Sequence, residues 1–277
     1  TPPYEIPLRL VGSEMCIRDS DRDPSSIPSD GMDFHKAALG KQNLNGRRIA
    51  YVGDIGGVIP LDKEVEKLVK AGAYAFEQLG CDVEEACFDA SDIQDIIMGT
   101  RGFGMVARYA DRYDKHKDLM TSQLINQVSA ALDLSVRDVV RSERLRTQYW
   151  HKVRRFMENF DYIVAPVVGA PPFRLDEPLP KQVGGVAVDR FQDVFLSTYV
   201  FSVTGLPMIS VPCGLTKDGR PVGMQIIARR HREDQAIEAA SAYERLAPNL
   251  FVRPKMDLTV LKPVSEALTT PGVTIKK

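Results

Sequence analysis

The sequence predicts an α/β fold: a mixed twisted sheet flanked by helices. Three observations carry this. Residues 47 to 88 read as strand, helix, strand; residues 91 to 158 read as almost wholly helical; and residues 208 to 228 read as two apolar strands around a tight turn. A strand–helix–strand unit favours parallel pairing, and a hairpin is antiparallel, so the sheet is expected to be mixed.

"RRIAYVG" (47 to 53) is a short apolar run suited to a buried strand, followed by the Gly-rich loop "GDIGGVIP". Residues 62 to 79 follow as an amphipathic helix, with Val65, Leu68, Val69, Ala73, Phe76 and Leu79 at helical spacing. Asp62 is placed to cap it, Glu64 and Glu66 suit its positive first turn, and Gly80 suits its end. "CDVEEACF" (81 to 88) alternates like a strand. The helical stretch falls into three or four pieces. The last begins at Ser135, with Asp138 as a capping-box-like partner, and runs to about Asn159. "DYIVAP" (161 to 166) is a short buried strand, and residues 166 to 186 are expected to be a long Pro/Gly loop. Residues 189 to 202 read as a helix, "MISVPCG" and "PVGMQIIA" as a hairpin around "TKDG", and 233 to 247 as a closing helix carrying Ile237, Ala240, Ala242 and Tyr243 on or beside its apolar face. Residues 1 to 30 and the tail from 259 read as irregular.

Composition narrows the function classes. With 277 residues, 44% hydrophobic and 26% charged, the chain has material for a sizeable core. A net charge of −1 gives no electrostatic case for nucleic acid or an anionic membrane. No apolar run approaches the roughly 18 residues of a spanning helix. Cys16, Cys81, Cys87 and Cys213 form no C-x-x-C pair, and His35, His116, His151 and His231 are scattered. The expectation is a reducing, cytoplasmic setting with no disulfide framework, no metal and no cofactor.

Candidate chemistry is thin. "GDIGG" lacks the G-x-G-x-x-G spacing that lets a backbone approach a pyrophosphate, and Pro60 intervenes before the helix, so a plain tight loop is expected. Ser25 and Ser26 sit among prolines without a small-residue turn to stabilise an oxyanion. Cys213 in "VPCGL" reads as a buried structural thiol, the four histidines as structural, and Tyr149, Trp150 and Phe156 as core. No catalytic constellation emerges from the residues themselves.

One segment is far more specific. Residues 201 to 244 contain Thr204-Gly205-Leu206-Pro207, Ser210-Val211-Pro212-Cys213-Gly214, then Asp218-Gly219, Pro221, Gly223 and Gln225. This pattern resembles the C-terminal signature of the amidase signature family. "DRDPSSIPSD", "GRRIAYVGD" with the helix and strand after it, and "DYIVAPVVGAPPF" are similar to upstream parts of that family, over roughly residues 21 to 256. One departure is Ser202, where many members carry asparagine. The resemblance implies a truncated α/β/α amidase fold. It implies hydrolysis of a carboxylic amide by a serine nucleophile, a second serine and a lysine, all three upstream of the linker. No "GGSSGG"-like segment occurs here, so that triad maps onto no residue of this chain and the catalytic assignment is none. The resemblance places Pro166, Val167, Phe201, Ser202, Thr204 and Gly205 along the substrate cleft. Missing N-terminal strands are expected to leave an open sheet edge or uncovered apolar surface.

The implied partners are a small-molecule amide in the full-length parent and a second copy in a homodimer, with no nucleic acid and no membrane. The alternatives are the A subunit of a glutamyl/aspartyl-tRNA amidotransferase, or a non-enzymatic α/β binding module. "EMCIRDS" (14 to 20) can be read back as GAG ATG TGT ATA AGA GAC AGN, the mosaic end of transposase-based sequencing libraries. Residues 1 to 20 are therefore expected to be a non-native adapter or fusion segment, 21 to 258 the C-terminal part of an amidase domain, and 259 to 277 an irregular tail.

Overall fold

The computed structural model describes residue 27 and residues 31–40, 43–174 and 179–251. The "EMCIRDS" segment, Cys16, Ser25, Ser26 and the tail from 259 lie outside the described residues.

The elements follow the chain in this order. Helix α1 (Phe34–Leu39) precedes strand β1 (Arg48–Tyr51), helix α2 (Lys63–Tyr74) and strand β2 (Asp82–Glu85). Helices α3 (Ile93–His116), α4 (Ser122–Leu132) and α5 (Val136–Phe156) come next, then strand β3 (Tyr162–Pro166). Strands β4 (Gln182–Val183) and β5 (Val186–Ala187), helices α6 (Phe191–Val194) and α7 (Leu196–Ser202), strands β6 (Met208–Leu215) and β7 (Pro221–Ala228), and helix α8 (Glu233–Leu246) complete it.

Five strands form one sheet in the order β2-β1-β3-β7-β6. β1 runs parallel to both β2 and β3, whereas β7 runs antiparallel to β3 and to β6. The sheet is mixed, as the strand–helix–strand unit and the hairpin predict. Side chains alternate across it with period two. Ile49, Tyr51, Tyr162, Val164, Met224 and Ile226 enter one core with Val65, Val69 and Phe76 of the α2 segment and Ala239 and Tyr243 of α8. Ala50, Ile163, Ala165 and Ile227 enter the other with Ile93, Ile96, Tyr149, Val153 and Phe201. Helices therefore cover both faces.

The local signals operate as ordinary capping chemistry. Asp62 Oδ1 accepts from the backbone N–H groups of Glu64 at 2.8 Å and Val65 at 3.3 Å. The helix after it does not stay α to its end. Residues Ala75–Leu79 tighten into a 3-10 turn, which Gly80 closes at φ 80°. The Ser135 hydroxyl accepts from Asp138 N–H at 3.2 Å, and the Asp138 carboxylate accepts from Ser135 N–H at 2.9 Å, a complete capping box.

Two later segments also differ from the sequence reading. Residues 166 to 186 are not loop throughout: β4 and β5 pair as a small hairpin around Gly184 and Gly185. A two-residue strand is too short to leave a period. The helix over 189 to 202 breaks at Phe195, which takes φ −105° and ψ 17°. The break lets Phe195 pack with Val183, Val188 and Val194.

The described chain divides into two compact units, one comprising residues up to Ile97 with Arg144–Phe251, the other Met98–Glu143. The first holds the sheet. The second is helical, with its own small core of Met105, Val128 and Ala131. Its helices approach closely: a Cβ on Gly99 would lie 2.0 Å from Ser142 Oγ.

Asp62→Ala should lower stability by about 1 kcal/mol, the usual worth of an N-cap, read as a shift in the urea midpoint. An unchanged midpoint would mean that α2 is held by packing alone.

Candidate functional site

The sheet changes direction between β3 and β7, and the candidate site lies at the end of β3. Tyr162 pairs with Ala228 and Pro166 with Met224, and Val167 N–H then donates to Gly223 O at 3.3 Å. Beyond that point the chain leaves the sheet. A groove of about 420 Å³ opens there. Val167, Val168, Pro221, Val222 and Gly223 form one part of its lining, and Ser210, Val211 and Pro212 of β6 another. The segment 170–173 and the pair Val194 and Phe195 complete it. β6 is an outer strand of the sheet among the described residues.

The groove's frame is polar and buried. Gln225 is 3% exposed, and its Nε2 donates to Pro166 O at 2.8 Å and to Ser197 O at 3.1 Å. The hydroxyls of Ser197 and Thr198, at the start of α7, both donate to Val167 O, at 2.6 and 2.8 Å. Strand β7, the end of β3 and helix α7 are thus tied at one point. Buried carbonyls left without donors are costly, so each of these bonds has a stabilising role.

The crevice that an α/β sheet often offers where strand order reverses is filled. β1 continues to β2 on one side and has β3 on its other. The loop after β1 meets the loop after β3: Asp62 N–H donates to Gly169 O at 2.8 Å, and a Cβ on Gly169 would lie 2.0 Å from Pro60 O. Gly56 and Gly57 turn at φ 66° and 85° beside Ile55 at φ 52°. Ile55 is buried with Val52 and Ile59, and this packing holds a β-branched residue in a left-handed conformation. "GDIGG" is a tight loop packed shut.

Of the six residues placed along the cleft from sequence, Val167 lines this groove. Pro166 is buried beneath it, with its carbonyl held by Gln225. Phe201 is fully buried and points into the core against Phe88. Thr204 and Gly205 form the turn into β6: the Thr204 hydroxyl bonds to Phe201 O and accepts from Leu206 N–H at 3.2 Å, while Gly205 takes φ 69°. Ser202 is exposed, its hydroxyl 3.4 Å from Tyr199 O. Ser210, Pro212, Pro221 and Gly223, all within the signature, line the groove instead. Ser197 and Thr198 carried no sequence signal beyond their helix.

The lining has little reactive chemistry. None of the lining residues is His, Cys, Lys, Asp or Glu, and the Ser210 hydroxyl is its single polar side-chain group. Cys213 points to the opposite face, its Sγ 3.4 Å from Val222 O. Burial pushes its thiol up to about 12. Burial is also the main cause that lifts Cys81 to about 11, with the Asp161 carboxylate adding to it. The described histidines, His35, His116, His151 and His231, are exposed rather than packed. Tyr149 is core, its hydroxyl donating to Val200 O at 3.0 Å, and Trp150 packs at the core edge with the Arg230 guanidinium 5.7 Å from its ring. Among the described residues no group of three or more His, Cys, Asp or Glu is arranged to hold a metal ion, and no helix is long and apolar enough to cross a membrane.

A model of the Amidase family matches residues 8–237. The chain belongs to that family. An acylamidase of Rhodococcus erythropolis is 28% identical over 269 residues, which cover 93% of this chain and 55% of the relative. The A subunit of the glutamyl-tRNA(Gln) amidotransferase of Acaryochloris marina is 24% identical over 249 residues, covering 81% of this chain and 50% of the relative. Among solved structures, a bacterial aryl acylamidase of the amidase signature family superposes with a TM-score of 0.73 at 26% identity, over 86% of this chain and 52% of the other. A 6-aminohexanoate cyclic dimer hydrolase shares the fold with a TM-score of 0.67 at 21% identity, over 85% of this chain and 52% of the other. The amidase-family chain described here spans about half the length of the curated relatives it matches.

Two outcomes are expected. Gln225→Leu should cost about 2–4 kcal/mol, because two carbonyls each lose a buried donor, whereas Ser197→Ala should cost less because Thr198 still serves Val167 O. Urea titration of both variants reads this, and equal losses would contradict it. Second, a raised thiol pKa leaves the thiol neutral at pH 8, so iodoacetamide should modify exposed Cys87 well before Cys81 or Cys213. Peptide mapping of the time course checks the order.

Proposed function

We propose that this chain is the C-terminal, substrate-binding part of an amidase. In this reading the whole protein hydrolyses a carboxylic amide to an acid and ammonia or an amine, and the 277 residues alone do not. The observation that carries it is the combination of membership in the Amidase family with a groove that has no nucleophile–base pair in its lining. The chain spans about half of its curated relatives, which is consistent with a catalytic part supplied elsewhere.

The chemistry proposed for the whole protein is acyl transfer through a serine. The serine oxygen attacks the amide carbonyl carbon, and its proton passes through a second serine to a neutral lysine. Backbone N–H groups hold the oxyanion. The C–N bond breaks as the amine takes a proton, and water then releases the acid from the acyl-enzyme. In this chain's share of the work, the Gln225 and Ser197/Thr198 bonds hold the groove wall in place while the amide is attacked. A fixed wall matters because misplacement of a bound substrate by about 1 Å can cost roughly 100-fold in rate.

Within the same proposal, residues 1–20 are a joined, non-native segment, 21–258 the amidase part and 259–277 a tail. The family match begins at residue 8, inside the first of these, so residues 8–20 are where the two assignments compete. Sequencing the source DNA decides it: unbroken genomic coverage through residues 10 to 25 removes the adapter reading.

The purified chain should take no label from a fluorophosphonate probe and release no ammonia from carboxamides. Turnover blocked by the probe would overturn the assignment of the nucleophile to another part of the protein. Turnover insensitive to it would overturn the serine mechanism. The longer protein recovered from the source DNA should hydrolyse amides and be blocked by the same probe.

A further inference from the structure

We propose that the groove beyond β3 receives the hydrocarbon portion of a neutral carboxamide and discriminates against amides carrying a nearby ionised group. This rests on the amidase reading for the ligand being a carboxamide; the charge discrimination comes from the groove itself.

The first argument is electrostatic. No lining residue carries a charge, and the single side-chain polar group is the hydroxyl of Ser210. An ammonium or carboxylate buried there would lose its hydration with no ion in the lining to pair with. Two charged residues that flank the lining in sequence, Arg220 and Asp193, are already engaged. Arg220 donates to Pro172 O at 2.9 Å and lies 2.8 Å from Asp218. Asp193 pairs with Arg190 at 2.9 Å and accepts from Gln94 at 3.1 Å. Recruiting any of them to a ligand would break an existing bond.

The second argument is shape. About 420 Å³ lies within the range of pockets for single small molecules, about 300–1,000 Å³. Pro171, Pro172, Pro212 and Pro221 stand in the lining, and their fixed φ angles leave little backbone freedom to lose when a ligand enters. Gly223 keeps the floor open. A Cβ there would stand 3.4 Å from both Ser210 Oγ and Val167 Cγ2, ordinary contact, so alanine fits but a longer side chain would occupy the groove.

The test measures binding to the 277-residue chain by calorimetry and ligand-detected NMR, with three probes. Hexananilide is neutral and apolar, N-phenylsuccinamate is an anilide of similar size with a carboxylate, and L-glutamine is a charged primary amide. Hexananilide should bind at least tenfold more tightly than either charged probe. Gly223→Leu should weaken it at least tenfold, and Gly223→Ala should leave it nearly unchanged. Ser210→Asp, at an exposed position and a second route should the leucine variant not fold, should weaken hexananilide and abolish N-phenylsuccinamate binding. No hexananilide binding, equal affinity for the charged probes, or indifference to the folded variants overturns the proposal. So does a dimer that sedimentation equilibrium shows dissociating in Gly223→Leu, since a second copy would then be the occupant. Failure of the amidase reading looks different: the chain binds hexananilide as described, yet the longer protein hydrolyses no amide. A longer protein that hydrolyses glutamine and not anilides overturns this inference and leaves the amidase reading standing.

Discussion

The arrangement depends on one buried amide. Gln225 sits mid-strand in β7, opposite Ala165 of β3, and bridges the carbonyl of Pro166 to that of Ser197. A chain leaving a sheet exposes carbonyls that no ladder can satisfy. Here one side-chain amide and two hydroxyls satisfy them, and in doing so they fix where the chain turns after β3. The groove wall, the break at Phe195 and the seating of α7 all lie around that point.

Several residues of the family signature stand around the same point. Gly223 and Ser210 keep space, the prolines stiffen the lining, and Gly205 turns the chain into β6. Cys213, the one signature residue that invites a nucleophile reading, faces the opposite core and is held neutral by burial. Within the described part of this amidase-family chain, the signature shapes a surface. The groove's lining holds a single side-chain hydroxyl and no ions.

Much of the fold was legible because it follows from local signals. Asp62, Gly80 and the Ser135–Asp138 box set helix ends through bonds to nearby backbone. Period-two and period-3.6 patterns separated strands from helices. The groove was less legible. Of Pro166, Val167, Phe201, Ser202, Thr204 and Gly205, Val167 alone lines the groove, because neighbours in a helix or turn diverge in space. Phe201 and Ser202 are adjacent in sequence, yet one is buried and the other exposed.

The sequence by itself determined the α/β class, the parallel unit and the hairpin, the caps, and the family signature, since each depends on spacing over a few residues. Tertiary structure alone decided the rest: that β7 lies against β3, that Gln225 reaches across to α7, that the crevice beside β1 is closed by Pro60 and Gly169, and that the groove carries no charge. Those facts depend on residues from 53 to 225 meeting in space. No periodicity records such meetings, because the contacts that decide them are made across the sheet rather than along the chain.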